Sequence, residues 1–421
     1  MYLGITRIAR TWIALFGVTA FGCAANAPAN EGNATNENEN AAAHDTVASA
    51  ASPEDDALCG SNPPPDGSVV WKRELGLVAE DLGPASVALD RSGHVFQARA
   101  DVGTAKLDAQ GNVVWQKPGG TAIAVDSAGN PYLADQGNVS KLDENGNAIW
   151  SHELGSGGAQ SLVIAPDGAV LVSGAKLGTV RLDADGHVAW SKPFGGHVAF
   201  GADGAVLVTG YFHETVDFGA GPVTSRGRAD AFIVSLTATG AHQWSTIVGD
   251  ADLPIARPSG GFVTDASDQV GEAIAAAPNG DVLVAGLAVD SVKLFGEDTA
   301  TPFSEDAGVL PLAFVARLDK TGKLLWAKRE DAVRDVRGIA SDARGNAILS
   351  GGLVGNAPPK ARTWIEKLDP AGAVIWRHEE SFGVGFGDAV TTDRCGNIVF
   401  SVTAAEEAGG KVHSVLFKLR R

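Results

Sequence analysis

The nine histidines of this chain are scattered, and none forms the His-x-x-x-His or His-Glu-x-x-His pair that brings two ligands to one metal ion. Cysteine pairs at metal-binding spacing are absent. So are the Gly-x-Ser-x-Gly elbow, which exposes a nucleophilic serine, and the phosphate-cradling loop. Asp183-x-Asp185-Gly186 is a fragment of a calcium loop, but it lacks the later bidentate Glu, so it reads as a turn. The acidic residues Asp217, Glu297, Asp298, Glu305 and Asp306 offer oxygens to a cation, and solvated loop charge is the simpler reading. No cofactor is predicted. The remaining residues of interest are three cysteines, Cys23, Cys59 and Cys395, and a set of tryptophans that recur in one frame.

Those tryptophans belong to a repeat in which a strand runs into Asp-x-x-Gly-x-x-x-Trp. It spans Asp108 to Trp115, Asp143 to Trp150, Asp183 to Trp190, Asp319 to Trp326 and Asp369 to Trp376. A variant with Thr237 in the Asp position ends at Trp244, and the half-motif Asp66-Gly67 leads to Trp71. A second pattern alternates with it: an apolar strand, a turn ending in Gly, and another apolar strand. Its turn glycines are Gly93, Gly129, Gly168, Gly204, Gly280, Gly345 and Gly396. Asp accepts hydrogen bonds from backbone N–H groups just beyond it, and Gly takes the positive φ that closes a short hairpin. The flanking strands carry the β-branched residues that suit a sheet, and no long stretch has helical periodicity.

Each unit therefore holds four short strands in two hairpins, and the two patterns predict an all-β, seven-bladed β-propeller of four-stranded antiparallel blades over 66–421. The tryptophans fall on the fourth, outermost strand and are structural, with about 150–250 Å² of indole each to bury. The last unit stops after Val412 to Leu419 without a fourth strand, while Ser68 to Leu75 is a spare one. The N-terminal strand is therefore expected to complete the seventh blade and pair the open edges. The short Asp/Gly turns share one face of such a ring. The second-to-third loops, long at Tyr211 to Arg228 and Leu287 to Leu312, share the other, and Asp252 to Ser267 reads as an insertion there. Loops on a rigid scaffold are where recognition concentrates, so this face is the expected binding surface.

The ends and the charge set the compartment. Arg7 and Arg10 precede a short apolar core from Trp12 to Phe21, too short to span a bilayer, and Gly22-Cys23 follows. This resembles the lipobox of bacterial lipoproteins, which implies a signal over 1–22 and lipid attachment at Cys23. The alternative is ordinary cleavage after Ala25-Asn26-Ala27. Residues 23–65, rich in Ala, Asn and Glu, bury too little apolar surface to fold and read as a disordered tether. The net charge of −17, with no basic cluster, argues against nucleic acid. Membrane contact is expected only through the lipid. With Cys23 lipidated, Cys59 and Cys395 remain at one seam of an exported ring, which suggests a disulfide; two free thiols are the alternative.

Thr209-Gly210-Tyr211-Phe212, Thr215-Val216-Asp217-Phe218-Gly219 and Asp230-Ala231-Phe232-Ile233-Val234 resemble the propeller-repeat lipoproteins of myxobacteria. The Asp-Gly-Trp frame is similar to quinoprotein-like (PQQ-like) repeats, in which Trp docks between neighbouring blades. Both resemblances imply the propeller fold. The first implies a cell-envelope lipoprotein, at the outer membrane by preference, that acts as a monomeric, non-catalytic scaffold for an envelope protein or glycan. The alternative is a quinoprotein-like or lyase-type enzyme with its site at the central channel. Three or more His, Asp or Glu side chains at one channel mouth would favour an enzyme or metal site, and an Ala, Val, Ser and Gly lining would favour the scaffold.

Overall fold

The computed structural model describes residues 67–78, 85–249 apart from 136, 156, 166, 202–203 and 227, the pairs 255–256 and 262–263, then 269–288, 312–330, 335–354, 361–393 apart from 383, 395–405 and 411–421. They form seven four-stranded antiparallel sheets. Blade 1 runs through Ser86–Leu89, Val95–Arg99, Gly103–Leu107 and Val113–Lys117. Blades 2 to 6 follow in the same order over 122–153, 161–192, 197–248, 269–330 and 335–382. Each first strand contacts the first strand of the next blade, and that of blade 7 returns to that of blade 1, so the ring is closed. The chain is a seven-bladed β-propeller.

Blade 7 closes as the half-motif predicts. Val384–Thr392, Ile398–Ala405 and His413–Leu419 are its first three strands, and Val69–Leu77 is the fourth. Trp71 stands opposite Lys418, and Glu74 opposite Val415. Both ends of the described chain thus lie in one sheet, and neither His413–Leu419 nor Val69–Leu77 is left as a single strand with two bare edges.

Burial explains the composition of the strands. Blades pack face against face, so the second and third strands are covered on both sides: Val95–Arg99, Gly103–Leu107 and Val170–Gly174 are buried throughout. Such strands need continuous apolar or small residues instead of alternation. Fourth strands are covered on one face only, and Val113–Lys117 alternates accordingly.

The eight-residue spacing of the motif also encodes a bulge. In every blade the register slips at the last residues of the third strand, as between Lys106 and Leu107, which pair with Trp115 and Val113. Two fourth-strand residues then oppose one, and the extra residue turns outward so that Trp can turn in. In five blades that extra residue is an exposed aliphatic, Val70, Val114, Ile149, Leu325 or Ile375, and in blades 3 and 4 it is Ala189 and Gln243. The repeat tryptophans themselves are only partly buried, which trims the full burial expected of them. Among the described residues the fully buried tryptophan is Trp364, on the third strand of blade 6 and outside the repeat frame.

The second pattern repeats the chemistry of the first at Asp90, Asp126, Asp342 and Asp393, while Ala165, Gly201 and Ala277 take that place in blades 3 to 5. Asp108 Oδ1 accepts from the backbone N–H of Gln110 at 3.0 Å and of Asn112 at 2.8 Å, while Gly111 N donates to the Asp108 carbonyl at 2.9 Å. The Asn112 side-chain amide, which donates to Asp108 Oδ2 at 2.9 Å, and these backbone bonds favour the charged carboxylate and hold the Asp108 pKa below its usual value. Thr237 substitutes through its hydroxyl, which accepts from Ala241 N at 3.0 Å.

Candidate functional site

The two mouths of the channel differ. At the short-turn mouth an open funnel of about 470 Å³ is lined by small and turn residues, among them Ala276, Pro278, Ser341 and Thr392. Its two carboxylates are already engaged. Asp342 pairs with the buried Lys367 at 2.9 Å and accepts from Asn346, and Asp393 holds the amides of its own turn.

The long-loop mouth is charged, and β-bulges produce the charge. In blades 5, 6 and 7 the register between first and second strands slips between Gly271 and Ala273, between Val336 and Gly338, and between Gly387 and Ala389. The bulged residues are Glu272, Arg337 and Asp388, at equivalent places in three consecutive blades. A bulge re-aims one side chain out of the pleat, here on the strand nearest the axis. In blades 1 to 4 the equivalent places hold Ala85, Thr121, Gln160 and Gly196, all neutral.

A glycine beside each bulge lets the blades close up around it. A Cβ on Gly387 would stand 2.7 Å from the Gly351 backbone nitrogen, and one on Gly338 would stand 2.5 Å from the Ser350 hydroxyl. No side chain fits there.

The cluster is cross-braced. Arg337 Nε donates to Asp335 Oδ2 at 3.0 Å, Asp335 Oδ1 accepts from Gly352 N at 2.5 Å, and Arg337 Nη1 lies 3.9 Å from Asp388 Oδ1. Arg99, from blade 1, bridges Asp388 at 3.0 Å and Asp101 at 2.8 Å, and it donates to the Thr403 hydroxyl at 2.7 Å. Thr403 in turn donates to Asp388 Oδ2 at 2.7 Å. Arg337 feels Asp335, Asp388 and Glu272 together, so the innermost strands of three blades converge on one guanidinium. Burial pushes the Asp388 carboxyl up, against the pull of Arg99 and Arg337. Burial likewise raises Glu272, partly countered by Arg337. His197, on the first strand of blade 4, is enclosed without a charged neighbour, and burial lowers its pKa to about 4, so it is neutral at pH 7.

Three carboxylates thus meet at one mouth, interleaved with two guanidiniums. Among the described residues the group placed to share one metal ion lies elsewhere: Asp183, Asp185 and His187, in an exposed hairpin turn. Its Asp183 Oδ1 already accepts from two turn amides, as the turn reading expects. Asp217 is also a turn residue, accepting from Gly219 and Gly221, in a loop that folds into a small hairpin of Thr215–Asp217 and Pro222–Thr224. Glu297, Asp298, Glu305 and Asp306 lie outside the described residues, as do Cys23 and Cys59.

The repeat tryptophans sit away from the channel, where each clasps the next blade. The indole N–H of Trp71 donates to Ala109 O, Trp115 to Glu144 O, Trp190 to Ala238 O, Trp244 to Lys320 O and Trp326 to Pro370 O, at 2.9–3.1 Å. Trp150 packs on Gly186 beside His152. Cys395 lies in the first hairpin of blade 7, its N–H bonded to Asp393. Sequence reasoning missed Glu272, Arg337 and Asp388. Their signal is a charged residue next to glycine within an apolar first strand: Val270-Gly271-Glu272-Ala273, Val336-Arg337-Gly338-Ile339 and Phe386-Gly387-Asp388-Ala389.

No family model matches the sequence, and a search of curated proteins finds no match. Among solved structures the chain is similar to selenomethionine-substituted virginiamycin B lyase from Staphylococcus aureus. The two are 14% identical with a TM-score of 0.50, over 83% of this chain and 99% of that one. It is also similar to BamB from Moraxella catarrhalis, at 15% identity and a TM-score of 0.45, over 85% of this chain and all of the other. The WD40 domain of Neurospora crassa Pan2 matches at 12% identity and 0.49, over 85% and 98%. At 14% identity the likeness to the lyase is one of fold alone.

Proposed function

We propose that this chain is a lipid-anchored propeller of the bacterial cell envelope that binds a protein or glycan partner through its long-loop face and serves as a scaffold. The observation that carries the reading is the difference between the two faces. One is built of short turns closed by glycine, most of them with an Asp side chain occupied in holding the hairpin. The other holds the variable loops and a charged channel mouth. A rigid ring with one uniform face and one individual face suits recognition. Export and anchoring rest on Arg7, Arg10, the apolar run to Phe21 and Gly22-Cys23.

Site-specific photo-cross-linking in cells tests the binding face. Adducts from probes at Asp217 and not from probes at Glu144, on the short-turn face, are expected; equal adducts from both, or none from either, would overturn it. The mass of the mature N-terminus tests the anchor: a lipid-modified Cys23 is expected, and an unmodified N-terminus after Ala27 would replace it with simple secretion.

A second reading, a channel enzyme, is favoured by one observation. Glu272, Asp335 and Asp388 meet the criterion of three convergent acids at a single mouth. Its test is turnover that disappears in Glu272→Gln.

A further inference from the structure

Exposed apolar side chains are not spread evenly over the ring. Ten large hydrophobic residues are exposed among the described ones, and nine of them are the first or second residue of a fourth strand. The tenth is Leu77. Fourth strands begin where a short turn ends, so the nine lie at the outer corner of the short-turn face. A single exposed aliphatic is ordinary, but nine at equivalent places make a surface. Equivalent residues of a ring of blades stand at one height. Val70, Val114, Ile149, Val188, Leu325 and Ile375, each 42–59% exposed, therefore form a level belt around six of the seven blades.

Sheet preference alone does not account for the belt. Blade 4 has the same four strands, yet His242 and Gln243 take these places. It is also the blade where another segment reaches the corner. The hairpin of Thr215–Asp217 and Pro222–Thr224 brings Gly219 there, and a Cβ on Gly219 would stand 2.8 Å from His242 Cβ. The aliphatics are present where the corner is open and absent where the chain itself occupies it. The second observation is where the chain enters the ring. Gly67, at which the described residues begin, lies two positions before Val69, so the segment bearing Cys23 joins the ring at this same corner. Cys23 stands 44 positions before Gly67. A linker of that length, read as a tether from its composition, has a root-mean-square span of about 35 Å. It would hold the ring at roughly millimolar effective concentration against the surface that holds Cys23, so weak contacts suffice.

We propose that the belt rests on the lipid bilayer that holds the anchor, so that the short-turn face looks toward the membrane and the long-loop face away from it. A bilayer is flat, and side chains at one height around a ring meet a plane together. The short turns that extend past the belt, such as Asp108-Ala109-Gln110-Gly111, are small and hydrated enough to stand among the headgroups. The partly buried indoles beside the belt suit the same zone, because amphipathic aromatic rings favour the membrane–water interface. The net charge of −17, with Glu144, Asp183 and Asp185 exposed on this face, selects a zwitterionic lipid surface over an anionic one. The inference rests on the anchor reading above and adds an orientation to it, one that leaves the variable loops open to a partner.

Seven of the nine tryptophans follow the belt directly in sequence, so intrinsic fluorescence tests the contact without any substitution. The lipidated full chain is bound to vesicles of phosphatidylcholine, or of the same lipid brominated on its acyl chains, and flotation checks that it is held. Fluorescence roughly 1.5-fold lower on the brominated vesicles is expected, because bromine quenches indoles at the headgroup–acyl boundary. A variant with Val70→Thr, Val114→Thr and Ile375→Thr keeps β-branching at three neighbouring corners and makes their tips polar. It should float as the parent does and be quenched less. Equal fluorescence on both vesicles from a chain that floats would overturn the belt contact and keep the anchor. Equal quenching of parent and variant would mean that the ring meets the bilayer by another surface, and would also overturn it. A chain that does not float loses the anchor, and the orientation with it.

Discussion

Trp376 lies flat against Gly67: a Cβ on that glycine would stand 3.1 Å from the indole Cε3. Gly67 also has φ +63°, a conformation costly to side-chain-bearing residues. The same packing recurs around the ring, with Trp71 on Gly111, Trp115 on Gly146, Trp150 on Gly186, Trp190 on Gly240, Trp244 on Gly322 and Trp326 on Gly372. Five of these clasps join consecutive blades from 1 to 6. The other two run through the N-terminal strand: Trp376 of blade 6 packs on Gly67, and Trp71, in blade 7, packs on Gly111 of blade 1, so this strand completes the circle of clasps.

Closure therefore depends on the N-terminal strand. Removing residues 67–77 takes away one of the two partners of His413–Leu419 and the turn under Trp376, exposing the free edge of an apolar strand that stays paired with Ile398–Ala405. The truncated chain should unfold at lower urea than the intact one and should self-associate on size-exclusion chromatography. Gly67→Val, which combines strained φ with a clash, should lower the midpoint in the same direction by a smaller amount. An unchanged midpoint and a monomeric truncated chain would mean that the ring holds without its closing strand.

How much was legible follows from how local each feature is. The Asp108 and Asp143 turns are encoded within five residues each, so the sequence revealed the hairpins of the blades and their order, though not the small hairpin of Thr215–Asp217 and Pro222–Thr224 within a long loop. Closure was legible because Ser68 to Leu75 carries the same frame as the other fourth strands. The channel mouth was not. Glu272, Arg337 and Asp388 are 51 or more residues apart in the chain and share no motif beyond an adjacent glycine. Only the register slip of three separate sheets aims them at one axis. Arg99 reaches Asp388 across 289 positions of sequence, at the seam between blades 7 and 1.

Two kinds of tryptophan should respond differently to truncation. Trp364 has no exposure and packs with Ala285, Val315, Leu349 and Leu368 between blades 5 and 6. Trp364→Ala leaves a cavity that surrounding strands cannot collapse into and should cost roughly 3–5 kcal/mol. Trp115→Ala removes a partly exposed indole and one hydrogen bond to Glu144 O, and it should cost less. Urea melts of the two variants check the order; equal losses would mean that the clasps carry as much stability as the core.

A Cys59–Cys395 cross-link, expected from the sequence, can be tested by mass. Arg420 N donates to Ser68 O at 2.9 Å, and a Cβ on Gly396, next to Cys395, would lie 3.2 Å from the Arg421 Cβ. The turn bearing Cys395 and the entry to the closing strand are therefore neighbours at one edge of blade 7. A bond closing so long a loop would add about 4–5 kcal/mol in the chain-entropy model, less any strain. Non-reducing peptide mapping should recover the two cysteines in one fragment, and reduction should lower the melting temperature. Recovery of both thiols alkylated without reductant would end the idea.

The buried acids give the protein a pH signature that one substitution should alter. Burial raises Glu272, and Arg337 only partly offsets it while Asp335 adds to it. Burial also raises Asp388 and Glu366. A carboxyl whose folded pKa exceeds its unfolded value holds its proton more tightly in the native state. Its contribution is fully present below the unfolded pKa and is lost as pH rises through the folded pKa. Asp342 has the opposite sign: burial opposes its charge, but Lys367 and Asn346 prevail and lower its pKa, so it favours the fold at neutral pH and stops doing so in acid. Glu272→Gln removes one member of the first group without changing shape. Thermal melts from pH 4 to pH 8 should show the variant gaining stability over the parent as pH rises, with the two converging at the acid end. A variant that loses stability at pH 8 would mean that the Glu272 charge is favourable within the fold.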